Sequence, residues 1–338
     1  MSVLVKGIEM THVETVRGAA GTETLGRVLM HEHVFILTSD INYNFPEISG
    51  WEEDKRVDEA VERLASLRDA GIDTIVDLTV LNMGRFIPRL QKINEKVDIN
   101  IIAATGLYTF DALPTFLSAV GPGTRLGGEE PMIEMFVKDI VDGIAGTGVK
   151  AAILKCCTDQ PGITPGVERV LRAVAAAHRE TGVPISTHTD SHTRRGLDQQ
   201  DFFEREGVDL SRVVIGHSGD TTDLDYLTEI IRRGSYLGMD RFGMDLLLPF
   251  QDRVQVVATL CERGFADRMV LSHDASCYMD WSPAERVPDA LRMPNWHYNH
   301  ISTDVIPALK ERGVTDEQLD EMLINNPRRI FEAPRERY

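Results

Sequence analysis

The sequence predicts an α/β chain folded as a single (β/α)8 TIM barrel, with a short N-terminal extension and long late loops. Three observations predict it. Short apolar, β-branched runs alternate with amphipathic helical patterns. There are eight such runs. Histidines, a lysine and an aspartate fall at or near their ends, where a barrel of this kind gathers its active site.

The runs are 27–33 (RVLMHEH), 73–79 (DTIVDLT), 99–105 (INIIAAT), 150–156 (KAAILKC), 184–188 (PISTH), 212–217 (RVVIGH), 235–240 (SYLGMD) and 268–273 (RMVLSH). Strands that alternate with helices pair in parallel through right-handed crossovers. Eight units favour a closed barrel, with a doubly wound open sheet as the fallback. The helices between them carry their own signals. Val57, Ala60, Val61, Leu64 and Leu67 make one apolar stripe that stops at Gly71. Val167, Val170, Leu171 and Val174 make another, with Thr164 as N-cap, Pro165 in the first turn and Gly182 at the end.

At 338 residues the chain exceeds the usual single core but suits a barrel. No Pro/Gly/Ser-rich linker divides it, so residues 16–338 read as one domain behind an extension of residues 1–15. Met10 is a plausible alternative start, which would make residues 1–9 an upstream addition. The net charge of −17 argues against nucleic acid or an anionic membrane as partner, because both need basic patches. No apolar run reaches the length of a membrane span. The four cysteines, Cys156, Cys157, Cys261 and Cys277, form no C-x-x-C pair, and no signal-peptide pattern precedes them. A reducing, cytoplasmic setting is expected.

His31 and His33 begin the chemical reading. In a strand, residues i and i+2 share a face, so two imidazoles would project together as half of a metal site. The pattern alone is weak. Downstream, the fourth run carries Lys155, the fifth ends at His188, the sixth ends at His217 and the eighth leads into Asp274. Lys155 would be a buried cation, costly unless paired or modified. The other histidines read more plainly. His178 is expected solvated on a helix, His12, His297 and His300 on surface loops, and His273 as structural. His192 is a possible pocket border.

The segments MHEHVF, AAILKCCTDQPGITPGVERVLRA, PISTHTDSHTRRGLDQQ, VVIGHSGDTTDLDYL, YLGMDRFGMD and MVLSHDAS resemble the phosphotriesterase family of the amidohydrolase superfamily, and within it the branch of phosphotriesterase-like lactonases. The likeness runs from about residue 13 to about residue 332. It implies two divalent metal ions per chain, zinc first, with cobalt, iron or manganese as alternatives. His31, His33 and Asp274 would hold the more buried ion, and His188 and His217 the more exposed one. Lys155, carbamylated to an N6-carboxylate, would bridge both.

The implied reaction is attack of a metal-bridging hydroxide on a lactone carbonyl, with phosphotriester hydrolysis as a side activity. N-acyl homoserine lactones, the quorum-quenching substrates, are the expected class. Asp274 would pass a proton to the leaving alkoxide. The resemblance places Tyr108 and Arg241 beside the metals as catalytic and substrate-binding residues. The dedicated phosphotriesterase branch typically has histidine where this chain has Arg241, which favours the lactonase. The bland alternative has Tyr108 packing and Arg241 paired with an acid such as Asp240. Trp281 and the apolar stretches Phe242–Phe250 and Ala275–Trp296 would line an acyl-chain channel, or serve as core or interface. The family commonly forms dimers, so a homodimer is expected. The rivals are a dedicated organophosphate triesterase (an aryldialkylphosphatase), a mononuclear deaminase-type amidohydrolase, and a non-catalytic barrel stabilised by metal.

Overall fold

The computed structural model describes residues 11–283 and 286–332. The alternative start at Met10 and the rest of residues 1–10 lie outside them. Each expected run yields a strand. After a hairpin of β1 (His12–Thr15) and β2 (Gly18–Gly21) come β3 (Val28–Ile36), β4 (Thr74–Asp77), β5 (Asn100–Gly106), β6 (Ile153–Thr158), β7 (Ile185–Thr189), β8 (Val213–Ile215), β9 (Tyr236–Met239) and β10 (Met269–Leu271). The chain then makes β11 (Ser276–Met279). Apart from the separate hairpin, all neighbours are parallel, in the order β10-β9-β8-β7-β6-β5-β4-β3-β11.

The eighth strand is therefore in two pieces, β10 and β11, where the sequence reads one. Its second piece pairs with the first barrel strand, with Ser276 opposite His33. Between the pieces, Asp274 N donates to His31 O at 3.0 Å and His33 N donates to Ala275 O at 2.9 Å. These bonds close the ring of eight strands.

Period-2 alternation sorts the strands into two cores. Val28, Met30, Val76, Ile102, Ala104, Ile153, Val214 and Val270 fill the barrel interior. Leu29, Ile75, Ile101, Leu154, Ile185, Val213, Leu237 and Met269 pack outward against the helices. The helix Glu53–Asp69 turns Val57, Ala60, Leu64 and Leu67 to that outer layer, and Gly71 after it takes a left-handed φ of 89°. The helix Pro165–Thr181 has the expected cap: Val167 N donates to Thr164 Oγ1 at 3.4 Å, and Gly182 ends it at φ 70°. Burying each such leucine or valine contributes roughly 1.5–3 kcal/mol.

The hairpin plugs the bottom of the barrel. Val13 packs into the interior core with Leu25, Ile330 and Phe331, and Val16 N donates to Ile101 O at 2.8 Å. The boundary expected between residues 15 and 16 falls inside this hairpin, so His12–Thr15 belong with the barrel. Two histidine expectations also change. His178 is buried, with Nδ1 2.8 Å from Val183 O, and His300 is buried at the start of the late helical segment. His12 lies in a strand rather than a loop, exposed as expected, and His297 is exposed too. Among the described residues no helix is long and apolar enough to cross a membrane. The four cysteines are buried free thiols.

Glu32, between the two histidines of the first strand, is fully buried. Its Oε1 accepts from Ser272 Oγ and His273 N, both at 2.9 Å, and lies 2.7 Å from His273 Nδ1. Its Oε2 accepts from Ala275 N at 2.9 Å. His273 in turn accepts at Nε2 from Ile301 N at 2.9 Å, the structural role expected of it. One carboxyl thus ties the first strand to the break in the eighth. Glu32→Ala would strip partners from several buried donors, each worth about 1–3 kcal/mol. We expect a loss of at least about 3 kcal/mol, seen as a lowered Tm in thermal unfolding; an unchanged Tm would remove the clamp.

Candidate metal centre

Strict alternation would point His31 and His33 outward, in phase with Leu29. The register between β3 and β4 shifts between Leu29 and Glu32. A bulge of this kind adds a residue and reverses the phase of the strand beyond it. His31 and His33 therefore turn into the barrel mouth. Lys155 and His188 need no such device, since Lys155 shares its face with Ile153. His217 and Asp274 lie just past the ends of β8 and β10 and both adopt left-handed backbone, at φ 58° and 55°. That conformation costs on the order of 1–3 kcal/mol for a non-glycine residue and persists only where surroundings enforce it. Here His217 N donates to Asp240 Oδ1 at 2.8 Å, and Asp274 is held by His31 O.

The six candidate residues meet at the floor of one cavity of about 130 Å3 at the C-terminal ends of the strands. Asp274 Oδ1 lies 3.4 Å from His31 Nε2 and 3.2 Å from His33 Nε2. His188 Nδ1 and His217 Nε2 lie 2.9 Å apart, and His217 Nε2 is 3.7 Å from Asp274 Oδ2. Lys155 Nζ sits 2.8 Å from His31 Nε2 and lines the same cavity.

Each imidazole is oriented through its other nitrogen. His31 Nδ1 and His217 Nδ1 lie 2.7 Å and 3.0 Å from the two oxygens of Asp240. His33 Nδ1 lies 2.9 Å from Thr79 Oγ1, and His188 Nε2 lies 2.7 Å from Asp159 Oδ2. Such partners fix the tautomer and ring angle of metal-binding histidines. Two triads have donor atoms within 4.8 Å of one another: His31, His33 and Asp274, and His31, His217 and Asp240. The second uses the Nδ1 atoms already within hydrogen-bond distance of Asp240, so we read it as an orienting bond. Glycine makes room for it. A Cβ on Gly238 would stand 2.6 Å from Asp240 Oδ2 and 2.9 Å from Gly216 Cα.

Burial dominates the electrostatics. It lowers the pKa of His31, carries His217 well below the ordinary range and brings His188 down to about 4. All three are neutral at physiological pH, the form that ligates metal. Burial also lowers Lys155, against the pull of Cys157, Asp274 and Asp240. For Asp274, burial opposes ionisation, but His31, His217, His33 and Arg241 outweigh it and hold the pKa well below the usual carboxylate range. Neutral imidazoles, an ionised carboxylate and tethered second nitrogens fit a divalent cation.

The cavity wall includes Tyr108, Arg241 and Trp281. Tyr108 stands edge-on to His188 at 5.8 Å and tilts toward Trp281 at 6.2 Å. Burial raises the Tyr108 pKa, with Cys157 and Asp274 adding to it. Arg241 does not pair with Asp240, the partner of the bland alternative. Its Nε donates to Asp274 Oδ2 and its Nη1 to Asp220 Oδ2, each at 3.0 Å. The late apolar segments divide. Met244 and Trp296 line the cavity, Phe242 is core, and Leu246 and Leu247 are exposed. His192 is exposed and does not line the cavity. Asp159, Thr79 and Asp220 escaped the sequence reading, and Asp240 entered it only as a partner for Arg241, not as the group that orients His31 and His217. Asp240 alone left a signal, as the acid ending the seventh run.

The histidine shifts set a pH dependence for the metal-free protein. The unfolded chain takes up protons near pH 6.5, whereas folded His188 does so only near 4. The unfolded state therefore binds more protons across this window, and stability rises with pH. We expect chelator-treated protein to lose on the order of 3 kcal/mol from His188 between about pH 6.5 and 4. Urea unfolding at a series of pH values checks this; a flat profile there would contradict a neutral, buried His188.

Comparison with known proteins agrees with this geometry. Residues 11–331 match the phosphotriesterase family. A phosphotriesterase homology protein of Mycobacterium tuberculosis is 62% identical over 323 residues, covering 96% of this chain and 98% of that protein. An aryldialkylphosphatase of Saccharolobus solfataricus is 36% identical over 311 residues, covering 92% of this chain and 96% of its own. The solved structure of the phosphotriesterase from Mycobacterium tuberculosis superimposes with a TM-score of 0.92 at 62% identity, over 95% of this chain and 98% of that one. With a closed barrel, a histidine-rich floor and likeness along nearly its whole length, the chain belongs to the phosphotriesterase family.

Proposed function

We propose that this hydrolase opens lactones by metal-dependent hydrolysis, N-acyl homoserine lactones first among them, with phosphotriester hydrolysis as a lesser activity. One observation carries the reading: the cavity that gathers the six candidate ligands also has an apolar lining of Ile36, Met83, Met244, Met279, Trp281 and Trp296. A lactone ring would meet the ligands while its acyl chain met the apolar lining. His31, His33 and Asp274 would hold one divalent cation, His188 and His217 a second, with carboxylated Lys155 between them. Two such ions, when bound, acidify water and polarise a carbonyl or phosphoryl oxygen.

The protein's own groups supply the rest. Burial shifts Lys155 toward the neutral amine, the form whose electron pair carboxylation by carbon dioxide requires. Tyr108 keeps its proton and can donate a hydrogen bond to oxygen that gains charge. Arg241 stays cationic: burial works against its charge, but Asp274, Asp220 and Asp240 outweigh it. Asp274 Oδ2, which faces Arg241 rather than His31 and His33, would carry a proton from water to the leaving alkoxide.

A second reading, a dedicated organophosphate triesterase, draws on the relative named aryldialkylphosphatase. The same floor would accept a phosphoryl oxygen. Relative kcat/KM on a long-chain N-acyl homoserine lactone and a paraoxon-type ester separates the two. We expect the lactone to be preferred; preference for the ester by orders of magnitude would reverse the assignment. Lys155→Ala should lose bound metal and activity together, with short carboxylic acids restoring part of both. Metal analysis and the lactone assay on one preparation test this. Two metal equivalents and full activity in the variant would show that Lys155 is not the bridge.

A further inference from the structure

Arg253 stands on the first turn of the helix Phe250–Glu262 and is 2% exposed, among the largest side chains so buried. A buried guanidinium is costly unless its donors are satisfied. Here Nε donates to Leu248 O at 3.0 Å, Nη1 to Gly219 O at 2.8 Å and Nη2 to Met244 O at 3.2 Å. Three backbone carbonyls from two loops therefore fix the group rigidly. Nη1 also lies 2.7 Å from Asp220 Oδ1, an ion pair rather than a directed hydrogen bond.

From there the charges alternate toward the cavity. Asp220 Oδ2 accepts from Arg241 Nη1, and Arg241 Nε donates to Asp274 Oδ2. Arg241 has a long, flexible side chain with much rotamer freedom to lose. Among the described residues its guanidinium is held by carboxylates on either side, and one of them, Asp220, sits on the short turn Ser218–Asp220 beside His217. What fixes Asp220 fixes Arg241.

We propose that Arg253 is a positioning residue: it anchors Asp220, and through Asp220 it sets the guanidinium of Arg241 over the cavity floor. This rests on the proposed function, in which Arg241 faces the substrate. Arg253 itself does not line the cavity. Acting through Asp220, its effect on turnover passes through Arg241; a route through the Met244 carbonyl that it also holds would instead persist when Arg241 is removed.

A double-mutant cycle on the full-length, metal-loaded enzyme tests this, with a long-chain N-acyl homoserine lactone as substrate. Arg241→Met should lower kcat/KM by about 100-fold. Arg253→Met should lower it by about 10-fold or more, with the metal content per chain unchanged. In the Arg241→Met background, Arg253→Met should cost no more than about 2-fold, because the interaction it serves is already gone. Arg253→Lys, which keeps the charge beside Asp220, should recover part of the loss. Should Arg253→Met fail to fold, Asp220→Asn repeats the cycle while leaving the carbonyl contacts of Arg253 in place.

Losses that multiply in full in the double variant, or a fall in metal content that tracks activity, would overturn the positioning role and leave the lactonase reading standing. An Arg241→Met enzyme with unaltered kcat/KM would overturn the placement of Arg241 against substrate, and the role of Arg253 with it.

Discussion

Closure of the barrel between its first and last strands is the constraint on which the site depends. The eighth strand breaks at residues 272–275, and the break is where its backbone meets the first strand. Glu32 accepts from both sides of that break, and Asp274 hangs from His31 O within it. Without closure, Asp274 would have no reason to stand 3.2 Å from His33 Nε2, more than two hundred residues away in the chain. The left-handed backbone of Asp274 has the same origin. Its strain is tolerated because closure over-determines it.

A second constraint is the balance of charge on a buried floor. Four imidazoles and a lysine share a space from which water is largely excluded, and burial presses each shifted group toward its neutral form. Asp240 offsets part of that cost by serving two histidines with one carboxyl. Its position also leaves both Nε2 atoms turned toward Asp274. The floor is thus a set of donor atoms held in place through their second nitrogens, the arrangement a divalent cation requires.

The mouth obeys different rules. Its residues come from strand ends, Ile36 and Met279, and from the loops beyond, and include methionines and tryptophans, adaptable and amphipathic side chains. Arg241 is the exception, a cation among the lining residues. It is held by carboxylates on either side and connected to the helix behind it through Asp220.

Much of this was legible in the residues themselves. The eight apolar runs determined a barrel, because alternating strands and helices leave few other ways to bury so many β-branched faces. The types and order of the six candidate ligands were also readable, since strand ends in a barrel converge whatever the loops do. Lys155 and His188 obey strand periodicity and needed nothing more. The inward direction of His31 and His33 depends on a bulge, and that of His217 on a left-handed residue; both break the period-2 rule on which sequence reading rests. Arg241 took Asp274 and Asp220 rather than its neighbour Asp240, because Asp240 was already committed to two imidazoles. The sequence by itself determined the fold and which side chains are present for chemistry. Which way they face and whom they hold was decided only by the tertiary structure, because those choices arise from contacts between residues far apart in the chain.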